Sequence, residues 1–131
     1  MDYKNKKAPY DIIPKKALWD TGATGSVITA ATAKELKLTA VGSATVNHVD
    51  GQSKTSTYLV NLFLPNRVAF PGVLVSECKD SDFGVIIGMD IITQGDFAIT
   101  NLDSKTWLSF RIPSTQAIDY VADFKLQQKA K

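Results

Sequence analysis

The chain has 131 residues, of which 44% are hydrophobic and 21% charged. That is one compact folded domain's worth of chain, and it excludes a disordered polypeptide. A single cysteine, Cys78, and a single histidine, His48, exclude an internal disulfide framework, a Cys-rich zinc site and a multi-histidine metal site. The +2 net charge is carried by the ends: five lysines against two aspartates in 1–16 and three lysines in 125–131, with seven basic against eleven acidic residues between. The body therefore lacks the basic stripe of a nucleic-acid domain, and no nucleic-acid partner is expected.

The most apolar stretch, Tyr58 to Val75, is broken by Asn61, Pro65, Asn66, Arg67 and Pro71, so it reads as strands with a loop and no membrane association is expected. The charged start, Met1 to Lys7, has no apolar core behind it and does not read as an export signal, which makes the cytoplasm the expected compartment.

In chain order, residues 1–8 are polar and read as a flexible tail. Two short strands follow, Pro9 to Ile13 and Lys16 to Trp19. The run Asp20-Thr21-Gly22-Ala23-Thr24-Gly25-Ser26 is too rich in Gly and Thr for a helix and marks a sharp loop. After the apolar pair Val27-Ile28, a short helix is expected over Thr29 to Leu38, with Thr29 as its N-cap. Thr45 to Leu64 reads as a hairpin turning at Asp50-Gly51, with polar arms near the turn that place its tip away from the core. A strand region follows over Val68 to Ser76, interrupted at Pro71-Gly72, and then a fully apolar strand, Val85-Ile86-Ile87, ending at Gly88. One or two helical turns are expected from Asp90, as N-cap, to Gly95. A second hairpin, Phe97 to Asn101 and Thr106 to Ile112, turns about Asp103-Ser104-Lys105. Ala117, Ile118, Val121 and Phe124 then fall at helical spacing within Ser114 to Gln128. So many short strands indicate a mainly-β fold.

The chemistry-bearing stretch is Leu18-Trp19-Asp20-Thr21-Gly22-Ala23-Thr24: an acid on a tight loop at the end of an apolar strand. A second carboxylate placed close to such an acid forces the two to share a proton, so that one stays protonated while the other takes a proton from water. Gly22 allows close backbone approach, and the Thr21 hydroxyl is available to fasten the loop. Other readings lack their companions. A phosphatase-like aspartyl nucleophile usually has a second acid two residues on, where this chain has Gly22, and no Gly-Lys-Ser/Thr follows Gly22-Ala23-Thr24-Gly25 to make a phosphate cradle. His48 reads as a surface residue of the hairpin arm, and Cys78, beside Glu77, Lys79 and Asp80, as an incidental thiol.

Ala17 to Ala23 resembles the active-site motif of the retropepsin-like aspartic proteases, and three later features agree in order. The polar hairpin Asn47 to Ser56 looks like the flap, Val85 to Ile92 looks like the apolar–apolar–Gly segment with its short helix, and the hairpin ending in Ser109 to Pro113 is similar to bacterial members. The resemblance implies a single-lobe, closed β-barrel with a flap and short helices, over residues 9–113, with a helical extension over 114–131. It implies an aspartic endopeptidase needing neither metal nor cofactor. Pepsin-like chains carry two such aspartates, whereas this chain has one Asp-Thr-Gly, so the implied enzyme is a homodimer with one Asp20 from each subunit. Asp20 is then catalytic, and Thr21 and Gly22 support its loop, Thr21 by locking the two loops across the axis. Ala23, Thr24, Val49, Asp50, Gly51 and Gln52 contact a peptide or protein substrate. Retroviral members have an acid in place of Thr24 and an Arg in place of Met89, paired with each other; both are absent here, and Asp90 is expected to reach the Asp20 loop instead. The competing class is a dimeric peptide- or protein-binding module that keeps this fold without cleaving. A third is a protease that cuts only its own precursor.

Overall fold

A computed structural model of the protein describes residues 12–130. The chain divides into two compact units between Thr93 and Gln94, inside the stretch that the resemblance treats as one domain. The expected tail, 1–8, and the first part of the expected strand at Pro9 lie outside the described residues.

The first unit is built on six strands: β1 (Ala17–Trp19), β2 (Val27–Thr29), β3 (Gly42–His48), β4 (Gly51–Phe63), β5 (Ala69–Cys78) and β6 (Val85–Ile87). They form one sheet in the order β1-β6-β2-β5-β4-β3. Two short helices accompany it, α1 (Ala30–Glu35) and α2 (Met89–Ile92). Thr29 caps α1 as expected, its hydroxyl accepting the Thr32 amide at 3.2 Å. The core gathers Ile28, Ala33, Tyr58 and Val75, with Leu38, Val60, Val73 and Val85 packed around them. Beside it opens an apolar cavity of about 760 Å³, walled by residues such as Trp19, Ile28, Val60, Val75, Val85 and Ile87.

The decisive pairing is that of β1 with β6. They run parallel in the register Ala17↔Val85, Leu18↔Ile86, Trp19↔Ile87, so both strands end at the same edge of the sheet. The next residues, Asp20 and Gly88, therefore leave the sheet side by side. Such a pairing joins segments far apart in the chain, and only the tertiary fold supplies it.

The sheet is open, which corrects the closed barrel expected from the resemblance. β1 and β3 remain its edges. Closure needs an apolar inner face on every strand, but β3 offers Ser43, Thr45 and Asn47 beside Ala44 and Val46 and is exposed at all positions except the half-buried Ala44. β1 has only three residues, preceded by Pro14, which has no amide proton to donate to a ladder.

The β3–β4 hairpin forms, one residue out of the expected register. His48 pairs with Gly51, leaving Val49 and Asp50 as the turn. Gly51, at φ +136°, opens β4 in a conformation that suits glycine, and this shifts the turn off Asp50-Gly51. At Pro71-Gly72, β5 continues through the expected break. The register changes between Val60 and Leu62, and the Gly72 amide, at φ +62°, donates to the Asn61 side chain at 3.0 Å. A bulge absorbs the proline without ending the strand.

The second unit pairs β7 (Asp96–Leu102) with β8 (Lys105–Arg111) through a two-residue turn, Asp103 (φ +51°) and Ser104 (φ +63°), followed by α3 (Tyr120–Lys129). Two successive left-handed residues make the tight hairpin that suits strand twist. Asp96 gathers the end of this unit. It accepts from Arg111 Nε at 2.9 Å, from the Thr115 amide at 2.9 Å and from the Ser114 hydroxyl. These donors, Ser114 foremost, hold its carboxyl well below the usual carboxylate range. The C-terminal helix starts later than the apolar spacing indicates. Asp119 accepts from the amides of Val121 and Ala122, both at 3.0 Å, and so caps the helix at Tyr120, leaving Ala117 and Ile118 before it. Among the described residues, no helix is long and apolar enough to cross a membrane.

Candidate active site

Asp20 stands where the chain leaves β1, half-buried, with its amide bonded to the Ile87 carbonyl at 2.8 Å. That bond continues the β1–β6 ladder one step past Trp19. The chain then turns: the Ala23 amide reaches the Asp20 carbonyl at 3.2 Å, and the Gly22 amide donates to Asp20 Oδ1 at 2.8 Å. One carboxylate oxygen is thus fixed by the loop's own backbone. A side chain at Gly22 would bring its Cβ to 3.2 Å from that same oxygen, which accounts for a glycine there.

The other wall is the segment Ile87 to Asp90. Gly88 is buried so tightly that a Cβ would lie 2.8 Å from both the Ala23 and the Gly25 carbonyl oxygens. The Met89 amide donates to the Ala23 carbonyl at 2.7 Å. Asp90 does reach the loop, at its far end. Its Oδ2 accepts the Ser26 amide at 3.1 Å and its Oδ1 the Ser26 hydroxyl at 2.7 Å, while the Ser26 oxygen accepts the Gly88 amide at 3.0 Å. The N-cap position of α2 belongs to Gly88, and Asp90 lies in the first turn, a correction to its expected capping role. The carboxylate is committed to Ser26 and to the Ile91 amide at 3.0 Å.

Asp20, Thr21, Gly22, Ala23 and Thr24 thus share one loop, seated on Ile87 to Asp90. Thr21 is exposed, and among the described residues its hydroxyl makes no hydrogen bond, so within one chain the loop is fastened by Gly22, Ala23 and Ser26. Val49, Asp50, Gly51 and Gln52 form the exposed tip of the β3–β4 arm, with no hydrogen bond to the loop among the described residues. His48 is taken up within that arm, 2.7 Å from the Ser53 hydroxyl. Burial, then the nearby Asp80 and Glu77, push the Cys78 thiol up, away from the thiolate that a cysteine nucleophile requires. Among the described residues no cluster of His, Cys, Asp or Glu has the makings of a metal site.

Ser26 is the residue that the sequence did not mark. It ends a polar loop like any other serine, and its partner lies 64 positions away. Its meaning comes from its burial, at 3% exposure, beside a carboxylate.

A family model for aspartyl proteases matches residues 11–91, more than half of the chain, and spans both the Asp20 loop and Asp90. The chain belongs to the aspartyl protease family. Membership points to peptidase activity and a peptide substrate, in agreement with an acid held on a backbone loop at the end of a strand. Neither the curated proteins nor the solved structures gave a match.

Proposed function

We propose that the protein is a retropepsin-like aspartic endopeptidase, of the bacterial type, active as a homodimer. The observation that carries this reading is the seating of the single Asp-Thr-Gly loop. It lies at the common end of two parallel strands, with the Gly22 amide on Asp20 Oδ1, in a chain that offers one such aspartate where the reaction needs two. In the dimer, the Asp20 of each subunit meets the other at the two-fold axis. One is protonated. The other, as carboxylate, takes a proton from a water that attacks the peptide carbonyl, while the protonated acid polarises the carbonyl oxygen. The exposed Thr21 hydroxyls lock the two loops together across the axis. Ala23 and Thr24 line the cleft beside the scissile bond, and the tip Val49-Asp50-Gly51-Gln52 folds over the substrate as a flap.

The test is cleavage of an unfolded protein and a mixed peptide library between pH 4 and 7.5, at several enzyme concentrations, comparing wild type with Asp20→Asn. The expected result is cleavage by wild type alone, with specific activity rising with enzyme concentration. Equal cleavage by both refutes Asp20 as the catalyst. A folded, silent wild type refutes a general endopeptidase and favours a binding module, or a protease confined to its own precursor.

A further inference from the structure

The loop that carries Asp20 is held at three points, and they differ in kind. At its start the Asp20 amide bonds to Ile87, and in its middle the Ala23 carbonyl accepts from Met89; both are backbone contacts that use no atom of the Ser26 or Asp90 side chains. At its end a backbone bond, from the Ser76 amide to the Ser26 carbonyl at 3.4 Å, is joined by a hold made of two side chains. Asp90 takes the Ser26 amide on one oxygen and the Ser26 hydroxyl on the other, and the same hydroxyl oxygen receives the Gly88 amide. Between the middle and the end lie Thr24 and Gly25, both exposed, and a Cβ at Gly25 would meet nothing within 4 Å. What packs there is the Gly25 carbonyl, against Gly88; no side chain of the stretch is buried.

From this we infer that Asp90 is a positioning residue for Asp20, acting through Ser26. The inference rests on the reading of Asp20 as the catalytic acid. Freed of Asp90, the loop between Ala23 and Ser26 loses its side-chain clasp and loosens at Thr24 and Gly25, while the Ser26 carbonyl stays on the Ser76 amide. The backbone bonds at Ile87 and Met89 keep the strand pairing, so the chain stays folded. What changes is the turn that holds the Gly22 amide on Asp20 Oδ1, and with it the aim of the carboxylate. Misplacing a reacting group by about 1 Å costs on the order of 100-fold in rate. The carboxylate chemistry is specific. Asn at 90 would keep one acceptor for the Ser26 hydroxyl but would set an amide NH₂ against the Ser26 amide, donor facing donor.

The experiment uses the full chain, with Asp90→Ala, Asp90→Asn, Ser26→Ala, Ser26→Thr and the double variant Ser26→Ala/Asp90→Ala. Peptide cleavage gives kcat and KM, and amide exchange at Gly22 is read by NMR in parallel. Positioning predicts a kcat loss of about 10- to 100-fold in Asp90→Ala and Ser26→Ala, with KM within twofold. It also predicts a double variant no worse than the poorer single one, rescue by Ser26→Thr, which keeps the hydroxyl, and faster exchange at Gly22. A kcat within twofold of wild type in Asp90→Ala, losses that multiply in the double variant, or unchanged Gly22 exchange each overturn the inference. If wild type itself does not cleave, the proposed function fails separately. The exchange at Gly22 in Asp90→Ala, or in the milder Ser26→Ala should the former not fold, still decides whether the clasp holds the turn.

Discussion

Gly88→Ala is the substitution that tests the architecture of the site most directly. The added methyl would sit 2.8 Å from the carbonyl oxygens of Ala23 and Gly25 and 2.9 Å from the Gly25 carbonyl carbon. Ordinary contact begins at 3.4 Å, so the loop must retreat by roughly 0.6 Å, and the atoms it meets are backbone, which no rotamer change removes. Gly88 has φ −99°, a conformation open to alanine, so no backbone strain enters and the effect is purely one of packing. Overpacking of this kind costs about 1–3 kcal/mol, offset by up to about 1 kcal/mol from the stiffer unfolded chain. A net loss of about 1–2 kcal/mol lowers the melting temperature by roughly 4–10 °C in a chain of this size. The effect on rate should be larger than that on stability. A shift of roughly 0.6 Å in the loop carrying Asp20 is most of the displacement that costs 100-fold, so kcat should fall about tenfold or more. Thermal unfolding and peptide cleavage, measured well below the melting temperature, separate the two. A Gly88→Ala variant with wild-type kcat and wild-type melting temperature would refute the claim that the segment after β6 sets the position of Asp20.

Two further predictions concern the scaffold. Ile28, 2% exposed, packs in the first unit's core and also faces the open cavity, so Ile28→Ala should lose about 2–3 kcal/mol, the low end of the range for such truncations, by chemical denaturation; a loss below about 1 kcal/mol would show that the β2 core is not what stabilises the unit. Because the Asp96 carboxyl titrates well below the usual carboxylate range when folded, its contribution is fully present above the unfolded value near 4 and is lost only as pH falls through the folded one. Protection of the Thr115 and Gln116 amides in wild type relative to Asp96→Asn should then be constant from pH 7 to about 4, measured by NMR exchange and corrected for intrinsic rates. A difference already fading between pH 6 and 5 would contradict the assigned donors.

Much of this was written locally. The strand before Asp20, the Gly-rich turn after it, the Thr29 cap, the apolar strand ending at Gly88 and both hairpins follow from propensity, turn chemistry and alternation over a few residues. The motif and its order along the chain were enough to indicate an aspartyl protease, as the family match bears out. Where local signals competed, tertiary context decided. Gly51 moved the hairpin turn to Val49-Asp50, Asp119 delayed α3, and the polar, exposed β3 left the sheet open where a closed barrel was expected.

The sequence by itself determined the chemistry available: a single Asp-Thr-Gly acid on a tight loop, one histidine and one thiol. Only the tertiary structure decided what holds that acid. The parallel register of β1 and β6 sets Asp20 beside Gly88, and the same approach delivers the Asp90 carboxylate to Ser26. Parallel strands have no local turn to announce their pairing, and a side chain bonded across 64 positions leaves no periodicity to read. The contacts that hold Asp20 are fixed by packing between distant segments, and so their atoms become visible only when the chain is folded.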